Sequence, residues 1–287
     1  MKPDARFLKL SKEFWAHVRT ISQHKRVGYT VRNTGTIKVP TISEIKQALE
    51  ESDLNTKHVL DALGQPTKLG QLLLDYFQHR SEVLGNFVEP LLMNAEQAKF
   101  EFEKLRDQLN PSCPLPMNKQ KGKMKAPAFL TGITNMLIEA NAAGMACCYD
   151  PQKLTTVTHD GVPVRTLARR VDGAFPSTIN PAAVWEIKEY YYTTSFGSRV
   201  ADGVYETLLD GLELEELRES TKIDIKHYLI LDAHYTWWIK GRSYLCRIID
   251  MLHMGYVDEV LFGREVIDRL PSLVAEWVQL ARDRKAN

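Results

Sequence analysis

Four times in this chain an acidic residue is followed two positions on by a lysine: Glu44-Ile45-Lys46, Glu186-Ile187-Lys188, Asp224-Ile225-Lys226 and Asp283-Arg284-Lys285. Carboxylate oxygens can hold a divalent cation, and an ammonium beside them can orient or deprotonate an attacking water. On a strand the two-residue period turns both side chains to one face, whereas a helix splays them by about 200°. Glu44 and Asp283 fall in helical patterns. Asp224 opens an apolar, strand-like run but has no acidic strand residue shortly before it. Glu186-Ile187-Lys188 continues the run Ala182-Ala183-Val184-Trp185, and Asp172 stands fourteen residues before Glu186, within Arg169-Arg170-Val171-Asp172-Gly173-Ala174-Phe175. With the Pro/Asn turn at 176–181 between them, the two segments read as a hairpin that brings Asp172, Glu186 and Lys188 to one point. The same three side chains also read as an ordinary surface ion-pair cluster.

The elements that must position them alternate. After residue 127 the pattern predicts a helix over 130–143 and strands over 155–158 and 162–167 around His159-Asp160-Gly161. Further strands follow over 169–175 and 182–192, then a helix over 200–219 and a buried strand over 227–233. A helix over 243–254, a short strand over 257–262 and a closing helix over 264–284 complete the chain. Before residue 110 the pattern is helical: 6–23, about 41–51, about 53–63 and 69–107. Four prolines and a glycine break both periods over 110–127. The expected fold class is therefore α/β (α+β), a mixed central sheet flanked by helices and preceded by an all-helical domain. The boundaries read as 1–116 for the helical domain, 117–127 for a basic Pro/Lys-rich linker and 128–287 for the sheet domain.

Residues 128–262 resemble the PD-(D/E)XK phosphodiesterase superfamily, the restriction-endonuclease-like fold of most type II restriction endonucleases and many repair nucleases. Its core runs helix, three strands in an antiparallel meander, helix, strand, the order read here. Asp172 matches the family's acid before the catalytic strand, and Glu186 and Lys188 match its (D/E)XK. Glu139 matches the carboxylate that members often add from the first core helix, and also reads as a solvated helix position. Val171 stands where the motif's proline would be. The resemblance implies hydrolysis of double-stranded DNA that depends on Mg2+, with Mn2+ able to substitute, and leaves 5′-phosphates. Asp172, Glu186, the Ile187 carbonyl and Glu139 would hold metal, and Lys188 would position the water. A sequence-specific type II restriction endonuclease is the leading expectation. A non-specific repair or phage-defence nuclease and a non-catalytic DNA-binding regulator are the alternatives. Cutting both strands needs two sites, so a homodimer is expected.

DNA contacts are expected from three places. The segment 193–199 leaves the catalytic strand for the next helix and offers hydroxyls, a helix N-terminus, Ser198 and Arg199 to phosphate. Lys119, Lys121, Lys123 and Lys125 have no acid between them, and read either as a clamp on the duplex or as a solvated linker. Residues 41–63 have the cadence of a helix-turn-helix whose second helix would present Asn55, Thr56 and Lys57 to a major groove, or of a plain helical hairpin.

Composition sets the outer bounds. The 287 residues carry 37 Lys+Arg against 36 Asp+Glu, a net charge of +1, so the total neither suggests nor forbids nucleic acid. No apolar run approaches the roughly 18 residues of a membrane span, and the first thirty residues are too charged for a signal peptide. With four cysteines and no CxxC, a cytoplasmic chain with reduced thiols is expected.

Overall fold

Alternation in the sequence becomes a strand wherever a turn is available to close it. In the computed structural model, which describes residues 1–192 and 197–286, Asp160 and Gly161 have φ of 50° and 77°. Two left-handed residues make the tight turn that suits strand twist, and it joins β1 (Thr156–His159) to β2 (Val162–Thr166). A second sheet contains β3 (Gly173–Phe175), β4 (Ala183–Glu189), β5 (Lys226–Asp232) and β6 (Glu259–Phe262) in that order. β3 is antiparallel to β4, and β5 and β6 continue parallel to it. Gly173 is required at the β3–β4 contact, because a Cβ there would lie 2.1 Å from the Trp185 ring.

Helices cover both faces of this sheet. Its eight long helices among the described residues are α1 (Lys12–Gln23), α2 (Ile42–Glu50), α3 (Lys68–Val83), α4 (Ala95–Leu109), α5 (Phe129–Asn141), α6 (Ser198–Thr221), α7 (Arg242–Met254) and α8 (Glu265–Ala286). Trp185, Tyr228 and Ile230 pack against α4, α5 and α8 on one side. Val184, Leu229 and Leu231 face α6 and α7 on the other. The architecture is mixed α/β, a mixed sheet flanked by helices. α1, α2 and α3 enclose a further core around Phe14, Trp15, Tyr76 and Phe77.

Four sequence expectations change. Residues 53–63 are turns rather than a second helix, so a helix-turn-helix over 41–63 is absent. The Asn55 carboxamide accepts the Lys57 N–H, and the Asp61 carboxylate accepts the N–H groups of Leu63 and Gln65. Those side chains bind the backbone donors that a helix would need, and Leu54 and Leu63 are exposed. The continuous three-strand meander is also absent: β1 and β2 form their own two-stranded sheet, and the segment expected as a strand over 169–175 pairs only at Gly173–Phe175. The strand expected over 182–192 ends at Glu189. Finally, residues 117–127 are a loop within one packed unit rather than a spacer. Met117 bridges Pro127, and Asn118 holds the loop closed through Ala126 and Met124. Phe102 and Leu105 of α4 share their core with Phe129 and Ile133 of α5.

Candidate functional site

The period of β4 decides which side chains meet. Trp185, Ile187 and Glu189 point to the α5 side, where the Glu189 carboxylate accepts the Leu130 N–H at 2.7 Å and the Thr131 hydroxyl at 3.3 Å. Glu189 thereby caps α5, whose own N-cap, Ala128, has no side-chain hydrogen bond to offer. Burial without a countercharge pushes its carboxyl up to about 7. Glu186 and Lys188 point the other way, toward α6. Gly203 of α6 makes room for the Lys188 stem, since a Cβ there would lie 3.2 Å from it.

Asp172 reaches β4 from the start of β3. Its Oδ2 accepts the Ile187 N–H at 2.8 Å, and its own N–H donates to Glu186 Oε1 at 3.2 Å. In a strand the N–H and C=O of one residue point the same way, so the Ile187 carbonyl faces the same edge, beyond the last β3 pair at Gly173↔Trp185. Lys188 Nζ donates to Glu186 Oε2 at 2.8 Å and to Glu206 Oε2 at 2.9 Å. Arg169, three residues before Asp172, closes the cluster. Its Nη1 and Nη2 donate to the two oxygens of Glu186 at 2.7 and 3.1 Å, and Nη1 also donates to Asp210 Oδ2 at 2.6 Å. Glu186 and Asp210 are fully buried.

These contacts sort the charges. Burial alone would raise the Glu186 carboxyl, but Lys188 and Arg169 outweigh it and hold it below its usual range. Burial would lower Lys188, but the Glu186 and Asp172 charges keep it well above the usual lysine range, so it stays an ammonium. Asp172 reaches solvent through a cleft, yet the protein packed around it and the Glu186 charge push its carboxyl up to about 6. Burial lifts Asp210 to about 7 against the pull of Arg169. In all, two cations, Arg169 and Lys188, face four carboxylates: Asp172, Glu186, Glu206 and Asp210. With all four ionised the cluster would be short by two positive charges, and the raised Asp172 and Asp210 carboxyls show that protons make up part of that deficit near neutral pH.

That deficit, and a donor set of carboxylate and carbonyl oxygens, fit a hard divalent cation. Mg2+ takes one or two carboxylates and completes its shell with water and substrate oxygens. Among the described residues no three Asp, Glu, His or Cys side chains form a ready-made ligand set. Asp172, Glu186 and the Ile187 carbonyl are the groups that could hold it.

The cluster opens on a cleft of about 660 Å3, lined by Asp172, Lys188 and Glu189, by Glu206 of α6 and by residues 118–120 of the 117–127 loop. Lys119 lines this cleft, whereas Lys121, Lys123 and Lys125 stand exposed on the same loop. Arg199 lines it too, and Ser198 is the first residue of α6 beside it. The hydroxyls expected at 193–195 lie outside the described residues.

Two groups of expected site residues are not brought here. Glu139 lies eight residues beyond Thr131, about 12 Å further along α5, where its carboxylate accepts the Ser112 N–H at 3.0 Å and the Ser112 hydroxyl. Those bonds lower its carboxyl and tie down the proline-rich segment; Glu139 is no ligand of this cluster. Asn55, Thr56 and Lys57 lie in the turns after α2 and do not line the cleft. The other three acid-x-Lys acids are engaged elsewhere: Glu44 in the α2 capping box and an ion pair with Lys38, Asp224 with Lys226, and Asp283 with the Gln279 side-chain amide on α8.

Sequence reasoning missed Arg169, Glu206 and Asp210 as members of the site. A signal was present, because Asp202, Glu206 and Asp210 repeat at four-residue spacing, a single row on one face of a helix.

A family model described as Domain of unknown function (DUF7690) matches residues 1–87, and one described as Domain of unknown function (DUF7687) matches residues 93–277. Their border falls at the π turn Leu84–Val88 and the single turn Glu89–Leu91, between α3 and α4. No curated protein and no solved structure matches the chain. The second match contains the sheet, the cleft and every residue of the cluster and spans more than half of the sequence, so the chain belongs to the family described as Domain of unknown function (DUF7687).

Proposed function

We propose that this chain is a metal-dependent DNA endonuclease with a PD-(D/E)XK-type site, foremost a sequence-specific type II restriction endonuclease acting as a homodimer. The observation that supports the reading is the convergence of Asp172, Glu186 and Lys188 at the start of β3 and on β4, with Asp172 and Lys188 lining a cleft that Lys119 also lines. Mg2+, or Mn2+ in its place, would supply a Lewis acid for the phosphodiester and a more acidic bound water. Asp172, Glu186 and the Ile187 carbonyl would hold it.

The protein's own groups do the rest. Lys188 is held as an ammonium between Glu186 and Glu206, so it orients the attacking water and offsets phosphate charge rather than taking a proton. Lys119 and Arg199, which both line the cleft, neutralise backbone phosphates, while Ser198 presents the N-terminus of α6. The reading as a non-catalytic regulator loses its support, because the second helix it needed over 53–63 is a set of turns.

The test uses plasmid DNA with Mg2+, with EDTA, and with Asp172→Ala and Lys188→Ala proteins. Discrete Mg2+-dependent fragments, reduced at least about 100-fold in both variants, are expected. Smearing favours a repair or defence nuclease, and a specific gel shift without cleavage would sink the enzyme reading.

A further inference from the structure

Glu186 has no acceptor site to spare. A carboxylate offers about four lone-pair positions, and four donors take them: Arg169 Nη1 and the Asp172 N–H on Oε1, Arg169 Nη2 and Lys188 Nζ on Oε2. A cation arriving at Glu186 must displace one of these donors. The Asp172 N–H is shared between Glu186 and the Trp185 carbonyl oxygen at 3.1 Å, so it keeps a partner if Glu186 lets go, but the backbone pairing at the start of β3 holds it in place beside Oε1. Lys188 is held from the far side by Glu206, and its stem lies along Gly203. Arg169 is the donor with somewhere to go. Its Nη1 already touches Asp210 Oδ2, and Asp210 Oδ1 is buried with no hydrogen-bond partner among the described residues. An unpaired oxygen of a fully buried carboxylate is costly, and a guanidinium fits two carboxylate oxygens at once.

We infer that Arg169 is a latch on the metal site: it chelates Glu186 when no cation is bound, and moves to a two-oxygen grip on Asp210 when one binds. The inference rests on the metal-site reading above and deepens it. Arg169 is thus a positioning residue. It keeps Glu186 charged and ordered in the metal-free protein, and its transfer satisfies Asp210 Oδ1 at the moment Glu186 is released. Asp210, with Glu206 one turn earlier on α6, then receives the guanidinium that Glu186 releases.

Calorimetric titration of Mn2+ into the full-length, DNA-free protein tests this as a double-substitution cycle, with thermal melting as the control for folding. Asp172→Ala should abolish binding, which establishes where the ion goes. Asp210→Asn removes the receiving carboxylate and should weaken Mn2+ by about tenfold, whereas in an Arg169→Gln background the same change should alter affinity by less than about twofold. If Arg169→Gln fails to melt cooperatively, Arg169→Lys replaces it, since an ammonium keeps the charge but cannot span two oxygens. Binding by Arg169→Gln where the natural protein binds nothing would also support the latch. An equal weakening by Asp210→Asn in both backgrounds would mean that only summed charge matters, and overturns the latch while leaving the metal site standing. No Mn2+ binding by any of the proteins would overturn the metal site itself, and the latch with it.

Discussion

Arg80 and Arg169 both grip carboxylates away from bulk water, but the two networks balance differently. Arg80 is fully buried, with Nη1 at 3.0 and 3.1 Å from the two oxygens of Asp250, whose Oδ1 also accepts the Tyr76 hydroxyl at 2.6 Å. The guanidinium lies over the Phe77 and Tyr29 rings. One cation meets one anion, and the pair ties α3 to α7. Around Arg169, two cations meet four carboxylates beside an open cleft, and one carboxylate oxygen has no partner among the described residues. A neutral network sealed from the surface holds helices together, even with the Arg80 Nε left without a hydrogen-bond partner among the described residues. In an open one the missing positive charge comes from protons on the raised Asp172 and Asp210 carboxyls or from an added cation, and this competition is the property a metal site requires.

The same substitution should therefore act in opposite directions at the two places. Asp250→Asn leaves Arg80 buried without a countercharge and should cost about 3–5 kcal/mol in urea unfolding. Asp172→Asn should raise the melting temperature of the metal-free protein at pH 8. The sign follows from the raised carboxyl: the folded state holds that proton more tightly than the unfolded chain, so stability falls as pH rises from about 4 to about 6, and a neutral side chain escapes the loss. Loss of stability in both variants would erase the distinction.

A smaller effect separates the networks by pH. Asp172 takes up a proton as pH falls through about 6, which removes a charge that the proposed metal site needs. Cleavage at limiting Mg2+ should then drop by about tenfold per unit below pH 6, with circular dichroism unchanged over the same range. A flat profile down to pH 5 would assign the cluster a purely structural role.

The smallest effect lies outside both networks. Replacing Lys119, Lys121, Lys123 and Lys125 by alanine should leave the melting temperature unchanged. It should also lower the slope of log affinity against log salt for DNA by about 0.9 for each phosphate that the loop no longer neutralises. An unchanged slope would remove the 117–127 loop from the DNA surface.

Much of the site was legible because strands have a short, strict period. Glu186 and Lys188 fall on one face whatever packs against it, and the Asp160-Gly161 turn was readable from residue type alone. Glu139 was misjudged for a physical reason: helix periodicity gives a face but not a depth, and Glu139 sits too far along α5 to reach β4. The helix expected over 53–63 failed because Asn55 and Asp61 compete for the backbone donors, a contest that apolar spacing does not report. The reading of 117–127 as a spacer failed because proline and glycine mark a break in secondary structure without telling whether the flanking helices share a core.

The sequence by itself determined the faces and the chemistry: which strand carries Glu186 and Lys188 together, which acid precedes it, and that a net charge of +1 hides strong local imbalance. Tertiary structure alone decided the company those residues keep. Arg169, Glu206 and Asp210 join the cluster only because α6 crosses β4 at Gly203, and the lysine loop meets the cleft only because α4 and α5 pack together. Local period is fixed by backbone geometry over a few residues, whereas the partners of a buried charge are set by which distant surfaces exclude water together.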